Sequence, residues 1–335
     1  MQKLYLFCLL SLTLLLNGCW QSATIESATS DYASRLSRVL GIEVAIPSPN
    51  VALHYPDSQA RQLTIPRKTI KLSEFYAINN CPLAPLIAQR NTALGKVETP
   101  SRRYVYELDV IAALESCATQ VSAEQTHIRS KLDELLRHKR SVLPMVRAQL
   151  LQDSEALRLG TGFSHDFLEF QDGQYSEGMT ETRLALDFLA DLSERNALTY
   201  HDIETHLAAI EKHRLLAKMW RTQRYISQTL PILTDALNTV DVVAKCTSQQ
   251  WSDKQMILRN VLNMFFVEQI QGIGSQLNAY HYQLSPLLQR ISDEVYLAPA
   301  VRAYWASHYQ QGFDTYQASI KAHVKAWQNI LQPCS

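Results

Sequence analysis

Glycine and proline are scarce in this chain, ten and twelve among 335 residues. A turn-rich all-β sandwich or barrel needs more of both, so that class is disfavoured. Neither sign of charge is in excess. Lys and Arg number 32 and so do Asp and Glu, which leaves no basic surplus to hold nucleic acid. Chemical signatures are missing as well. There is no Gly-x-Ser-x-Gly nucleophile elbow, no phosphate-binding glycine loop, no Cys-x-x-Cys pair and no His/Cys box at metal spacing. Nothing in the pattern names an enzyme, and no cofactor is expected.

What is present begins at the N-terminus. Lys3 supplies a positive start, Leu4 to Leu16 an apolar run, and Gly18-Cys19 a small-residue cleavage step. That is the form of a secretory signal over residues 1–18, and an apolar stretch of roughly 13 residues is too short to span a bilayer. The ending Leu16-Asn17-Gly18-Cys19 resembles the bacterial lipobox, which implies cleavage before Cys19 and acylation of its thiol. Two acyl chains hold a protein stably at a membrane. Trp20 stands where an aspartate would retain a lipoprotein at the inner membrane, so the resemblance implies lipid anchoring at the outer membrane, on the periplasmic side. Residues 21–30 are rich in Ser, Thr and Ala with Ile25 the one large apolar side chain, and residues 19–30 are expected to form a flexible, lipidated tether.

Capping chemistry then marks helix after helix. Asp31 is placed to cap a short helix to Leu40, stopped by Gly41. Residues 46–66 carry four prolines and predict an extended segment, with Leu63 to Leu72 the one candidate strand pair. Ser73 caps a short helix, Pro82 opens another ending near Asn91, and Thr99-Pro100 starts one running to about Cys117. Ser122-x-x-Gln125 reads as a capping box for a helix kinked at Pro144 and ended by Gly160. A long loop over 159–179 follows. Thr199-x-x-Asp202 caps a helix of about 30 residues, stopped at Pro231. Ser252-x-x-Gln255 opens a long apolar helix broken at Pro286, and Pro299 begins the last one, to about Leu331. The predicted class is all-α: long antiparallel helices packed as bundles, with a short extended N-terminal segment. Residues 31–335 form the helical domain, in one body or in two sub-bundles of about 31–158 and 180–335.

Removing residues 1–18 takes Cys8, and Cys19 takes lipid, so Cys81, Cys117, Cys246 and Cys334 remain. Four cysteines in an oxidising compartment imply two disulfides. If 82–93 and 100–117 form an antiparallel hairpin turning near residue 98, residues whose numbers sum to about 198 face each other. Cys81 and Cys117 meet that condition, leaving Cys246 for Cys334. Arg90 and Glu107 meet it within one residue and are expected to form an interhelix ion pair, with Asn91 beside them. The series Cys81, Arg90-Asn91-Thr92-x-Leu94-Gly95, Pro100-Ser101, Tyr106-Glu107-Leu108 and Cys117 resembles a family of Gram-negative bacterial lipoproteins known only as a domain of unknown function. The likeness covers the mature chain and brings no activity or catalytic residue with it.

Other constellations carry less. His201 and Glu204 lie one helical turn apart, a spacing metal sites use, and faintly resemble the Gly-x-His-x-x-Glu motif of imelysin-like envelope proteins. Thr199 stands where that glycine belongs, and a solvated helix face explains them better. Ser164-His165-Asp166 are adjacent, which is not triad geometry. Arg137-His138-Lys139-Arg140 suit a helix C-terminus before the Pro144 kink, or else lipid phosphates. Arg214, Lys218 and Arg221 form a stripe read as exposed. Trp305, Tyr309, Tyr316, Ile320, His323 and Trp327 recur at helical spacing and read as core. The sequence therefore predicts an outer-membrane-anchored periplasmic lipoprotein serving as a non-catalytic structural or protein-interaction module with an envelope protein partner. A metal- or small-ligand-binding helical protein is the alternative.

Overall fold

A computed structural model describes residues 24–46, 48, 50–78, 80–92, 99–169, 178–195, 197–240 and 249–332, with backbone alone at 249–252. The fold is all-α, and no strand occurs among the described residues. In chain order the helices are α1 (Ile25–Leu40), α2 (Leu72–Ala77), α3 (Leu83–Arg90), α4 (Pro100–Gln120), α5 (Thr126–Asp153), α6 (Glu155–Gly162) and α7 (Met179–Ala190). Then come α8 (Tyr200–His213), α9 (Leu215–Asn238), α10 (Gln249–Val261), α11 (Gln271–Ser292), α12 (Pro299–Ala306) and α13 (Phe313–Leu331). A π-helical stretch, Leu262–Ile270, joins α10 to α11, and a second, Ser307–Gly312, joins α12 to α13. No described helix is long and apolar enough to cross a membrane.

Residues 25–30 are not tether. Thr24 is the N-cap of α1, its hydroxyl accepting from the Ser27 N–H, and Ile25, Ala28 and Thr29 are buried. Thr29 repays its burial by bonding to the Tyr225 hydroxyl at 2.8 Å. The helix ends where expected, at Gly41, whose φ of 72° lies in the left-handed region open to glycine. Residues 42–71 are irregular where described, as the prolines foretell, but Leu63 to Leu72 form no strand pair. Side chains anchor this segment in place of a ladder. Arg61, 7% exposed, donates to the Gln152 carbonyl and pairs with Asp153. The Gln152 amide donates back to the Arg61 carbonyl at 2.7 Å while its oxygen accepts from the Ala298 N–H.

Other boundaries differ from the sequence reading. Ser122 does not open α5; it accepts from the Glu124 N–H in a turn, and the helix begins at Thr126. The helix expected from Thr199 to Leu230 is two, split at Arg214, whose φ of 46° is uncommon for a residue with a Cβ. Pro231 and Pro286 lie inside α9 and α11 instead of ending them. A mid-helix proline costs about 3 kcal/mol. The turn after Pro231 buries Leu233 and Leu237, and α11 buries Leu288 and Ile291 beyond Pro286. At roughly 1.5–3 kcal/mol per buried aliphatic side chain, packing outweighs the break.

The core is also divided differently from the expected sub-bundles. The main core runs from Ile25 to Ile330 and takes in Tyr104, Val146, Leu150 and Leu151 of α4 and α5. A second, smaller core gathers Ile78, Cys81, Leu83, Val110, Leu114, Cys117, Leu132 and Leu135 at the other end of the α4–α5 hairpin. The aromatic stripe of the last helix is core, as read. There, a polar chain threads α1, α9 and α13. The Trp327 indole N–H donates to the Tyr32 hydroxyl at 2.7 Å, and Tyr32 meets His323 Nε2 at 2.8 Å. His323 Nδ1 meets the Thr234 hydroxyl at 2.9 Å, and that hydroxyl donates to the Leu230 carbonyl. The pattern fixes the neutral imidazole with its proton on Nδ1. Burial accordingly lowers the His323 pKa to about 3.

Two outcomes follow for stability. Tyr32→Phe removes the hydroxyl between the Trp327 N–H and His323 Nε2, leaving those two only their 3.2 Å bond to each other, and should cost about 0.5–1.5 kcal/mol in denaturant unfolding. Because the folded pKa of His323 lies below its unfolded value, its contribution is complete above pH ~6.5 and is lost as pH falls toward ~3, by at most ~1.4 kcal/mol per pH unit. His281, stacked on Phe313 with centroids 3.4 Å apart and lowered by burial to about 4, acts in the same direction. Unfolding free energies measured from pH 7 to pH 4 should decline, and His323→Gln should flatten the decline.

Candidate functional site

The smaller core carries a cavity of about 330 Å³ bounded by α3, α4, α5 and residues 66–70. Its shape depends on the Cys81–Cys117 disulfide, which the structure contains, with Cα atoms 5.5 Å apart and both residues buried. The bond fixes the chain just ahead of α3 to α4, so that Arg90 and Asn91 at the end of α3 arrive beside Tyr106 and Glu107 on α4. All four line the cavity.

Glu107 is the centre of its charge. The carboxylate is fully buried (0% exposed) and pairs with Arg103 and Lys139, each at 2.7 Å. Lys139 Nζ donates a true hydrogen bond to Oε2. The Arg103 contact lacks hydrogen-bond alignment, so Oε1 and the buried Arg103 Nε are left without hydrogen-bond partners. Arg103 comes from one turn earlier on α4, whereas Lys139 reaches across from α5. The expected partner Arg90 stands elsewhere: its guanidinium lies 5.4 Å from the Tyr106 ring centroid, and Lys139 lies 5.9 Å from the same ring. The hairpin register was sound to one residue, but an i,i+4 neighbour and a third helix take the carboxylate.

Lys139 was readable and was missed. Glu107 and Lys139 lie sixteen residues either side of Ala123, in the turn between α4 and α5, so the equidistance rule that pairs Cys81 with Cys117 pairs them too. The basic run Arg137 to Arg140 is not a helix end, because α5 continues to Asp153. Lys139 faces Glu107, Arg140 pairs with Glu115 at 2.6 Å, and His138 lines the cavity.

The remaining candidates do not assemble a site. His201 is exposed, and its helix is capped as expected by Thr199 and Asp202. His206 stacks on Phe188 at 4.0 Å. Among the described residues no three His, Cys, Asp or Glu side chains are gathered to hold a metal ion, so His201 and Glu204 gain no third ligand. Ser164 bonds to the backbone of Asp166, and His165 packs on Phe163. Arg214 and Arg221 are not a bare exposed stripe: they lie over Phe163 and Phe167 at 5.5 and 4.6 Å. Cys19, Cys246 and Cys334 lie outside the described residues.

Residues 29–335 match a family model described as "Protein of unknown function (DUF3080)". The chain belongs to this family. No curated protein and no solved structure matches it. The DUF3080 match takes in every residue of the cavity, including the segment on which the family likeness was read.

Glu107→Ala leaves two half-buried cations without their anion. Breaking a buried pair costs ~3–5 kcal/mol, and residual solvent access to Arg103 and Lys139 places this case at the low end, ~3 kcal/mol. Arg90→Ala, which takes the guanidinium from the Tyr106 ring and leaves the Glu107 pairs in place, should cost less than Glu107→Ala. Chemical denaturation of both variants checks the order.

Proposed function

We propose that this DUF3080 protein is an outer-membrane lipoprotein, held on the periplasmic side through acylated Cys19, that works by binding and not by catalysis. The cavity at Glu107 is its site, and it takes an anionic ligand. One observation carries the binding part: among the described residues four cations besides Arg90, namely Arg67, Lys68, Arg103 and Lys139, line the cavity against one lining carboxylate, Glu107. Such a surplus in a partly enclosed space favours a partner of opposite charge. The anchoring part rests on the Lys3, Leu4–Leu16 and Leu16-Asn17-Gly18-Cys19 pattern. The Cys81–Cys117 bond supports it, because structural disulfides persist in exported proteins and are rare in a reducing cytosol.

A second reading, contact with an envelope protein, is favoured by a separate feature. Met256, Ile257, Met264 and Val267 are exposed along α10 and the π-helical stretch after it, beside an open groove walled by Leu262, Phe266, Val324 and Leu331. Exposed apolar patches of this kind mark interaction surfaces.

Anchoring is tested by mass and fractionation. The wild-type chain should gain the mass of acyl chains and sediment with outer membranes. Cys19→Ser should remain an unlipidated precursor, and normal maturation of that variant would refute the anchor. Under the same reading Cys246 and Cys334 pair, and a non-reducing peptide map should recover them linked.

A further inference from the structure

The cavity's lining says which anion fits, an inference that rests on the binding reading above. Its walls divide by chemistry. Leu83, Val110, Leu114, Leu135 and Val142 are buried and apolar, with Ile87 half-buried beside them. The charged residues sit nearer solvent: Arg67 and Lys68 are exposed, and Arg90, Arg103 and Lys139 are half-buried. Lys68 is paired with Glu134, and Glu107 answers Arg103 and Lys139. Arg90 aside, two carboxylates thus face four cations among the described residues. The buried Nε of Arg103 also has no hydrogen-bond acceptor, and an oxygen of an incoming acid would supply one.

A bare inorganic anion fits this division poorly, because the apolar walls would strip its water and offer no donors in return. A neutral apolar molecule would fill the interior and leave the cationic surplus unanswered. We infer that the cavity binds an amphiphile with one acidic head, carboxylate or phosphate, and one apolar chain. The head meets the cations around Tyr106, and the chain lies on the Leu/Val floor. A volume of about 330 Å³ is at the small end of ligand sites, ~300–1,000 Å³, and suits a single short chain. The same chemistry could come from a free amphiphile or from an anionic lipid presenting its head and part of one chain.

The test uses the chain from Trp20 onward, which keeps every described residue. Decanoate, decyl phosphate, decanol and inorganic phosphate are titrated by calorimetry. The two acids should bind, with decanol and inorganic phosphate at least about tenfold weaker. Arg90→Ala at the head and Ile87→Trp at the floor should each weaken decanoate binding by at least about tenfold while the chain still unfolds in a cooperative transition. Two variants at opposite ends keep the result readable if one fails to fold. Flotation with phosphatidylglycerol and phosphatidylcholine vesicles separates the sources. Capture by the anionic vesicles, competed by decanoate, assigns a lipid; decanoate binding without capture assigns a free amphiphile. Inorganic phosphate binding as tightly as decyl phosphate would overturn the amphiphile and leave the anion site standing. Decanol binding equally well, or full binding in both variants, would overturn the inference. No binding by any of the four would remove the binding reading with it.

Discussion

A hydroxyl buried in a dry core has to be satisfied, and in this protein that requirement holds the bundle together. Tyr32 reaches from α1 into the space between α9 and α13 and accepts from Trp327 while meeting His323. His323 in turn reaches Thr234 on α9. Trp327 and His323 also bond each other within α13, and Thr234 bonds within α9, but the Tyr32 hydroxyl has these partners only when α1 lies against α13, and orphaning it would cost ~1–3 kcal/mol. Apolar packing supplies most of the stability, but it tolerates sliding between helices. The polar chain does not, because a shift of one turn would break several bonds at once. The register of α1 against α9 and α13 is therefore set by chemistry that a wholly apolar core would lack.

The α4–α5 hairpin obeys a different constraint. One end lies in the main core through Tyr104, Val146 and Leu150, while the other builds a second core around Cys81–Cys117. A small core buries little, so a covalent link has more to contribute there than in the larger body. The buried carboxylate of Glu107 sits at the junction. It holds Arg103 and Lys139 close to an apolar floor that would otherwise repel them, which is how polar chemistry and hydrophobic lining come to share one cavity.

Much of this was legible in the sequence where the signal is local. Thr99-Pro100, Thr199-x-x-Asp202, Gly41 and Pro299 mark helix ends because capping is decided within four residues. The Cys81–Cys117 pairing was legible because a short hairpin converts sequence distance into spatial distance. What failed was whatever tertiary packing decides. Pro231 and Pro286 read as stops, but burial on both sides carries the helices through them. Ser- and Thr-rich residues 25–30 read as tether because Thr29 finds its partner 196 positions away, at Tyr225. At the cavity, Glu107 was found and its partner misassigned. Glu107 faces two helices at once, and the sequence reading considered only one of them.

The start of α1 at Ile25, capped by Thr24, bears on where the molecule can work. Under the proposed anchoring, five residue steps separate the lipid-bearing Cys19 from the first rigid turn. Even fully drawn out, such a leash reaches no more than about 18 Å, less than the length of α1 itself. The body would then ride against the bilayer and could not stand off to span the periplasm. Whatever it meets would have to come to the membrane surface.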